Sequence, residues 1–381
     1  MTSVADPLRR VEAVQELSGF REEFYGCLDA RADALFELVE AMLCVDGPVV
    51  SVPQLSLASV HRRGHGGLYD ALARGRLNVA RFAATLAGLE LARLGGRITL
   101  AVDVSPWLRP DAECCDGRLF CHVHGRGRGN AQMIPGWPYS FVVALEPGAC
   151  SFTALLDAVR LGPDDDVTEV TAAQIRQVVA RLREAGQHRE GDAPIRIVLD
   201  SGYDGTRLAF LLADLPVQLL VRVCSDRVFH APAGARKGDR PGRAPRHGAR
   251  MKLNDPDTWP PADATVRIDT VRYGTAVIDA YPRRHQRLTG DGAWAGHTGP
   301  YPIIAGTVLR VVVNRLPGDR APGPLWLWSS VPEIQAADLA GLFFAFCRRF
   351  DIERCEPRCC HMRGSVASSA SPSRSRVVLA A

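Results

Sequence analysis

Residues 97–110 read RITLAVDVSPWLRP and carry the clearest strand pattern of the chain. Ile98, Leu100 and Val102 lie in an apolar, β-branched run, which predicts a buried strand. The run ends in Asp103, and a Ser-Pro-Trp sequence then breaks it. Because an acid at the end of a core strand is costly unless it is paired or bound to a cation, Asp103 is a candidate functional residue.

The same design recurs further along the chain. Residues 195–204, IRIVLDSGYD, predict a second apolar strand that ends in Asp200, and Gly202 then turns the chain towards a helix. A third acid, Glu353, lies near the end of a helical pattern in CRRFDIER. Carboxylate oxygens are the ligands that Mg²⁺ and Mn²⁺ prefer, and two such ions about 4 Å apart can promote phosphodiester cleavage. The three acids therefore predict one site with two Mg²⁺ (or Mn²⁺) ions.

The composition is that of a globular protein, with 46% hydrophobic residues in 381 and a net charge of only +4. The whole chain is therefore not a strongly basic nucleic-acid binder, and any basic patch must be local. The N-terminus lacks an apolar signal region and no apolar run is long enough to cross a membrane, so we expect no membrane partner. The 11 scattered cysteines favour reduced thiols and a cytoplasmic location.

Residues 1–95 predict a helical N-terminal domain. Residues 8–44 have the spacing of two helices, and residues 51–89 that of short helices joined by glycine-rich turns. One turn holds His61, Arg62, Arg63 and His65, and the glycines at 64, 66 and 67 argue against a helix there. This module either binds DNA or only caps the core.

Residues 96–224 predict the first part of a catalytic core. Strands at 119–123 and 139–145 suggest a three-stranded antiparallel meander with the Asp103 strand. An amphipathic helix at 171–185, with Thr171 as its N-cap, precedes the Asp200 strand. A helix at 206–213 and a strand at 218–223 complete a β-β-β-α-β-α-β order. This order predicts an α/β fold with a mixed sheet and flanking helices.

Residues 225–323 predict a basic loop followed by a separate β-rich insertion, with strands in 265–281 and 307–316. From Arg222 to Lys252, nine arginines and lysines oppose two aspartates, so the local charge is about +7. A basic loop of this kind either neutralises DNA phosphates or is a solvated linker. The glycine-rich loop around residues 125–129 has the same two interpretations. The candidate DNA-binding residues are Arg126, Arg128, Arg227, Arg236, Lys237, Arg240, Arg243 and Arg246.

Residues 324–356 predict the last core strand and the helix that carries the glutamate. LWLWS at 325–329 is a short buried strand by composition, and residues 334–353 have helical spacing. The predicted apolar face of that helix consists of Leu339, Leu342, Phe343, Phe346 and Phe350. Glu353 lies near this apolar, core-facing side of the helix, where an unpaired acid is unusual.

Several of these segments resemble insertion-sequence transposases of the DDE superfamily, and in particular the actinobacterial transposases of that class. They are AVDVSPWLRP (101–110), MIPGWPYSFVVAL (133–145), VLDSGYDGTRLAFLLADLPV (198–217), RVCSDRVF (222–229), GRAPRHG (242–248), LWLWSS (325–330) and RRFDIE (348–353). The resemblance implies a ribonuclease-H-like core interrupted by a β-rich insertion. It also implies that Asp103, Asp200 and Glu353 are the three catalytic acids.

The resemblance further implies a DNA transposase, whose metal-activated water cuts the element ends and whose freed 3′-OH joins target DNA. The implied partners are double-stranded DNA, as terminal inverted repeats and target, and a second copy when DNA is bound. The implied location is the bacterial cytoplasm, with nucleoid association in the bound state. Two alternatives remain open: a non-catalytic DNA-binding protein derived from a transposase, and a ribonuclease-H-like nuclease acting on RNA–DNA hybrids.

Residues 357–381 depart from the family pattern. In the family the glutamate helix continues as a basic and aromatic helix, whereas here Pro357 stops it. The remaining residues are rich in Ser, Arg and Ala without periodicity, as in out-of-frame translation. We expect a disordered tail and a poorly active or inactive copy. The alternative is a shortened but working enzyme whose partner subunit supplies the missing surface.

Overall fold

The computed structural model describes residues 7–46, 49, 51–111, 115–124, 131–148, 151–234, 245–290, 292–316 and 322–355. They form two compact units. The first draws on Met1–Glu90 and Arg181–Gln187, and the second on Leu91–Ala180 and His188–Arg354. The predicted tail at 357–381 lies outside the described residues. In the described ranges, no helix is long and apolar enough to cross a membrane.

The first unit is helical, as its sequence predicts. Its elements are α1 (Pro7–Gly26), β1 (Leu28–Ala30), α2 (Ala32–Cys44), α3 (Val52–Leu55), α4 (His65–Arg74), β2 (Arg76–Leu77) and α5 (Val79–Gly88). The two short strands pair antiparallel between the helices. The prediction against a helix after Gly64 is wrong, because α4 begins at His65. Burial of Leu68 and Ala71 on its inner face offsets the roughly 1 kcal/mol that each glycine costs in a helix.

The second unit is built on a ten-stranded mixed sheet, which confirms the predicted α/β class. The strands are β3 (Thr99–Leu108), β4 (Leu119–His124), β5 (Ala131–Leu145), β6 (Thr153–Arg160), β7 (Ile195–Leu199), β8 (Val217–Val223), β11 (Ala264–Thr270), β12 (Gly274–Arg284), β13 (Gly306–Val313) and β14 (Leu325–Ser329). Their order is β11-β12-β13-β14-β8-β7-β3-β5-β4, with β6 also paired to β5. β3, β7 and β8 run parallel to one another, and the other pairs are antiparallel.

Three details of the predicted sheet need correction. The strands of the predicted meander are ordered differently, because the long β5 lies between β3 and β4. The β-rich insertion is not separate, because β11, β12 and β13 continue the same sheet through β14. Part of the predicted basic loop is also regular, since Val228–Pro232 (β9) and His247–Lys252 (β10) pair antiparallel.

The second unit also contains α7 (Gly205–Leu211), the part of α6 (Val167–Glu184) that precedes Arg181, and α8 (Ala336–Cys355) as far as Arg354. Leu342, Phe343 and Phe346 of α8 are buried in one apolar cluster with residues of the sheet. The predicted place of Phe350 on this face is wrong, because its side chain is 38% exposed. Arg349 takes the adjacent buried position instead and is only 1% exposed.

The first turn of α6 shows why its predicted start is wrong. The carboxylate of Asp166 accepts the backbone N–H groups of Thr168, at 2.9 Å, and Glu169, at 3.2 Å. Asp166 therefore caps the helix, and Thr171 lies buried inside it. The guanidinium of Arg207 also contacts Asp166 and lowers the pKa of this carboxyl below its usual value.

We expect Asp166→Ala to lower the free energy of unfolding by about 1 kcal/mol, the usual cost of a lost N-cap. Because the pKa of Asp166 is lowered in the folded state, its contribution is full above the unfolded pKa of about 4. It is lost as the pH falls through the folded value. Urea unfolding at neutral and acid pH checks this, with Asp164→Ala, an exposed neighbour, as the control. An equal loss in both variants would contradict the capping role.

Candidate active site

The sheet brings Asp103 and Asp200 to adjacent positions. β3 and β7 run parallel, and their last paired residues are Val102 and Leu199. Asp103 and Asp200 each come directly after these residues, so their backbones are neighbours where the two strands part. β3 then continues alongside β5 alone. The predicted meeting of Asp103 and Asp200 is consistent with this arrangement, but the predicted end of the first strand at Asp103 is wrong, because pairing with β5 carries β3 on to Leu108.

Backbone hydrogen bonds orient both carboxylates. Oδ1 of Asp103 accepts the N–H of Val104 at 2.9 Å, and Oδ1 of Asp200 accepts the N–H of Ser201 at 2.7 Å. The side chains are 20% and 32% exposed, respectively. The two groups are thus held in place and remain partly open to solvent.

Arg349 of α8 reaches both aspartates. Its Nη1 lies 3.1 Å from Oδ2 of Asp103, and its Nη2 lies 3.5 Å from Oδ2 of Asp200. The guanidinium also lies 4.6 Å from the ring centroid of Phe350. A buried cation therefore bridges the two carboxylates and offsets their mutual repulsion.

Two further residues complete the surroundings of the aspartates. The side chain of Arg222, near the end of β8, is exposed, and its Nη1 lies 3.5 Å from Oδ1 of Asp200. Tyr203 follows Asp200 in the turn before α7, where burial and then the nearby Asp103 carboxylate raise the pKa of its phenol. Tyr203 is therefore a neutral phenol at physiological pH.

Glu353 lies on α8 one turn beyond Arg349. Residues four apart lie on the same side of a helix, so its backbone is on the side that carries Arg349. The side chain of Glu353 lies outside the described part of the structure, and its predicted role as third acid stays a prediction. In the described ranges, no three His, Cys, Asp or Glu side chains form a group that could hold a metal ion.

The predicted DNA-binding residues fall partly within and partly outside the described ranges. Arg126, Arg128, Arg236, Lys237, Arg240 and Arg243 lie outside the described residues. Arg227 is exposed in the turn between β8 and β9. Arg246 donates a hydrogen bond to the backbone carbonyl of Tyr301, so its guanidinium is bound to another part of the protein.

Arg349 and Tyr203 are the site residues that the sequence interpretation misses. Arg349 lies in the RRFDIE segment, but the pattern gives it no role. The sequence does contain a signal for Arg349: it is a charged residue next to the predicted apolar stripe of α8, one turn before the candidate glutamate. Tyr203 lies within IRIVLDSGYD, three residues after Asp200.

A mixed sheet with flanking helices, and with two acids at adjacent positions on neighbouring parallel strands, has the architecture of the ribonuclease-H-like class. A family model described as DDE superfamily endonuclease matches residues 23–277, more than half of the chain. The chain belongs to this family. The match includes Asp103 and Asp200 and ends before Arg349 and Glu353. No curated protein matches the chain.

Membership of this family indicates an enzyme of nuclease or transposase type that acts on nucleic acid and uses divalent metal ions. Two of the described side chains at the site are suited to such an ion. Asp103 and Asp200 offer hard oxygen ligands, and the guanidinium of Arg349 already occupies a cation position between them. The family and the donor set therefore agree.

Proposed function

We propose that this protein is a DNA transposase whose catalytic acids are Asp103, Asp200 and Glu353. The observation that carries the proposal is the meeting of Asp103 and Asp200 around one buried cation, Arg349. Two acids placed together in this way are costly to a fold unless a cation neutralises them. We infer that the reaction is what this costly arrangement serves.

In this proposal the two aspartates bind the Mg²⁺ or Mn²⁺ ions, and Glu353 supplies a further carboxylate from α8. The bound ions would activate a water molecule and stabilise the leaving oxygen of a DNA phosphodiester. The hydrogen bonds from Val104 and Ser201 fix the carboxylates before the ions arrive. Arg222 carries an exposed positive charge beside Asp200 and is suited to a DNA phosphate.

A cleavage assay tests the proposal. The purified chain is incubated with supercoiled plasmid, and with duplexes bearing the terminal repeats that flank its coding sequence. We expect nicks that require Mg²⁺ or Mn²⁺ and that occur at the repeat ends. Cleavage of RNA–DNA hybrids in preference to duplex DNA would instead support a ribonuclease-H-like nuclease.

One observation favours a second candidate, a DNA-binding protein derived from a transposase that no longer cleaves. Arg349 already neutralises both aspartates, so an ion must compete with a buried guanidinium. Binding to repeat ends without metal binding or nicking would support this candidate. We also propose that the departure of residues 357–381 from the family pattern makes this copy poorly active or inactive. Restoring a family-like helix after Glu353 and repeating the cleavage assay tests this proposal.

The basic segment gives a separate prediction. Replacing Arg236, Lys237, Arg240 and Arg243 with Ala should weaken binding to all duplexes alike, because phosphate contacts carry no sequence information. The slope of log K against log salt should flatten by up to about 0.9 for each phosphate that the protein no longer neutralises. Anisotropy titrations over a range of salt concentrations measure this slope. Replacing the exposed Arg183 and Arg189 is the control, and an unchanged slope in the fourfold variant would refute the assignment.

A further inference from the structure

An aromatic pair lies at the far end of β3. Trp107 and Trp137 are directly opposite each other in the β3–β5 ladder, with ring centroids 5.7 Å apart. The side chain of Trp107 is 43% exposed. Large aromatic side chains are costly to leave in water, so an exposed Trp107 packed against the half-buried Trp137 at a sheet surface suggests a ligand.

This pair lies on the face of the sheet that carries Asp103. The β3–β5 register is unbroken from Leu100 to Leu108, so side chains alternate regularly between the two faces. Asp103, Ser105 and Trp107 therefore share one face. Four residues of strand separate Asp103 from Trp107 by roughly 13 Å, close to the rise of about four nucleotides in B-form DNA.

Exposed apolar side chains extend the same face beyond the pair. Phe120 of β4 lies opposite Pro135, which is two residues from Trp137 and therefore on its face. Phe120 is 69% exposed, and Met133, two residues further along β5, is 56% exposed. The surface leading away from Asp103 is thus an apolar strip.

One arginine guanidinium packs against each of the two indole rings. The guanidinium of Arg109 lies 5.7 Å from the Trp107 ring centroid, and that of Arg160 lies 5.8 Å from the Trp137 centroid. Nη2 of Arg160 donates to the backbone carbonyls of Asp116 and Gly117 at 3.1 and 3.0 Å. These bonds hold Arg160 against its ring, and Arg109 lies at a similar distance from the other ring, where phosphates of a bound strand would meet both cations.

We propose that the Trp107–Trp137 pair, with Arg109 and Arg160, binds unpaired nucleobases of a DNA strand whose backbone reaches Asp103 and Asp200. Aromatic rings stack on any base, and adjacent cations neutralise the backbone, which is how proteins hold single-stranded segments. The inference rests on the proposed function, because it assumes that DNA reaches the aspartates. The alternative is that the pair only stabilises the sheet as a cross-strand contact.

Fluorescence anisotropy in EDTA distinguishes these roles without relying on cleavage. The full chain is titrated into a labelled duplex with a short gap of unpaired thymines, and into the same duplex with abasic residues in the gap. We expect the thymine-gap DNA to bind about tenfold more tightly, because each stacked base adds affinity. Trp107→Ala should remove this preference and leave affinity for the abasic-gap DNA nearly unchanged, whereas Trp107→Phe should retain most of it.

Phe210→Ala is the matched control, since Phe210 is 42% exposed in the same unit but lies on α7. It should keep the preference for unpaired thymines. The stacking inference is overturned if the ratio of the affinities for thymine-gap and abasic-gap DNA is the same for the wild type and for Trp107→Ala. The same result, and the same conclusion, would follow if another part of the chain or a second copy covered the pair. The proposed function would then still stand on cleavage. Failure of the wild type to bind either probe would overturn both.

Discussion

Replacing Asp103 with Asn should reduce metal-dependent cleavage of DNA by on the order of 10³-fold, as expected when a charged group that acts in the transition state is lost. The amide keeps the shape of the carboxylate but has no charge and is a weaker ligand for a hard cation. Asp200→Asn should cause a similar loss. The rate of plasmid nicking with Mg²⁺ and with Mn²⁺ measures both effects.

Asp269→Asn is the control for this experiment, because Asp269 is an exposed acid on the edge strand β11 of the same sheet. Its cleavage rate should equal that of the wild type. Binding of plasmid in EDTA and thermal unfolding must be compared as well, since Arg349 loses a partner in Asp103→Asn. Wild-type cleavage by a folded Asp103→Asn variant would remove Asp103 from the catalytic role. An equal loss in Glu353→Gln would assign the third acid.

Much of the catalytic half of the sheet follows from local sequence patterns. β7 and β14 are short apolar runs with clear ends, and the structure places them within one or two residues of the predicted bounds, whereas β3 continues past the predicted break at Ser105–Trp107 because β5 pairs with it as far as Leu108. Once β3 and β7 are parallel neighbours, the proximity of Asp103 and Asp200 follows from their equivalent positions. The sequence therefore predicts this half of the candidate site well.

The missed features depend on contacts between distant parts of the chain. β6, TALLDAVR, carries Asp157 and Arg160 and lacks a strong strand pattern, but the long β5 provides a partner for it. β5 also passes through Pro135 and Pro138, residues that usually end a strand. The order of strands is set by these pairings and not by the periodicity of any one segment.

The burial of Arg349 beside the two aspartates could not be predicted from the sequence for a similar reason. A sequence pattern assigns the stripe of α8 to apolar residues and predicts that arginines face water. The structure instead buries Arg349 at 1% exposure and leaves Phe350 at 38%. This exchange is understandable only when Asp103 and Asp200 are known to lie beneath the helix, where they supply the negative charge that a buried guanidinium requires.

Replacing Arg349 with Met should destabilise the metal-free protein, because two neighbouring carboxylates lose the cation between them. Breaking a buried ion pair from one side typically costs roughly 3–5 kcal/mol, which corresponds to a fall of on the order of 10 °C in the unfolding temperature. Mg²⁺ should then recover much of this loss, since an ion that binds only the folded state stabilises it in proportion to the logarithm of its concentration. The wild type should respond less to the same Mg²⁺, because there the ion has to displace the guanidinium. Thermal unfolding in EDTA and over a Mg²⁺ series measures both effects.

Arg348→Met is the matched control, because Arg348 pairs with Asp351 on the same helix at 2.7 Å and its ion pair does not include the two aspartates. It should lose some stability, but Mg²⁺ should not restore it selectively. Combining Arg349→Met with Asp103→Asn and Asp200→Asn should remove the Mg²⁺ response altogether, since no charged pair remains to bind the ion. A Mg²⁺ response of Arg349→Met no larger than that of Arg348→Met would show that the guanidinium does not occupy the ion's position. A response confined to Arg349→Met, with none in the wild type at any Mg²⁺ concentration, would mean that the arginine excludes the ion, and the non-catalytic DNA-binding function would then be the better account of the protein.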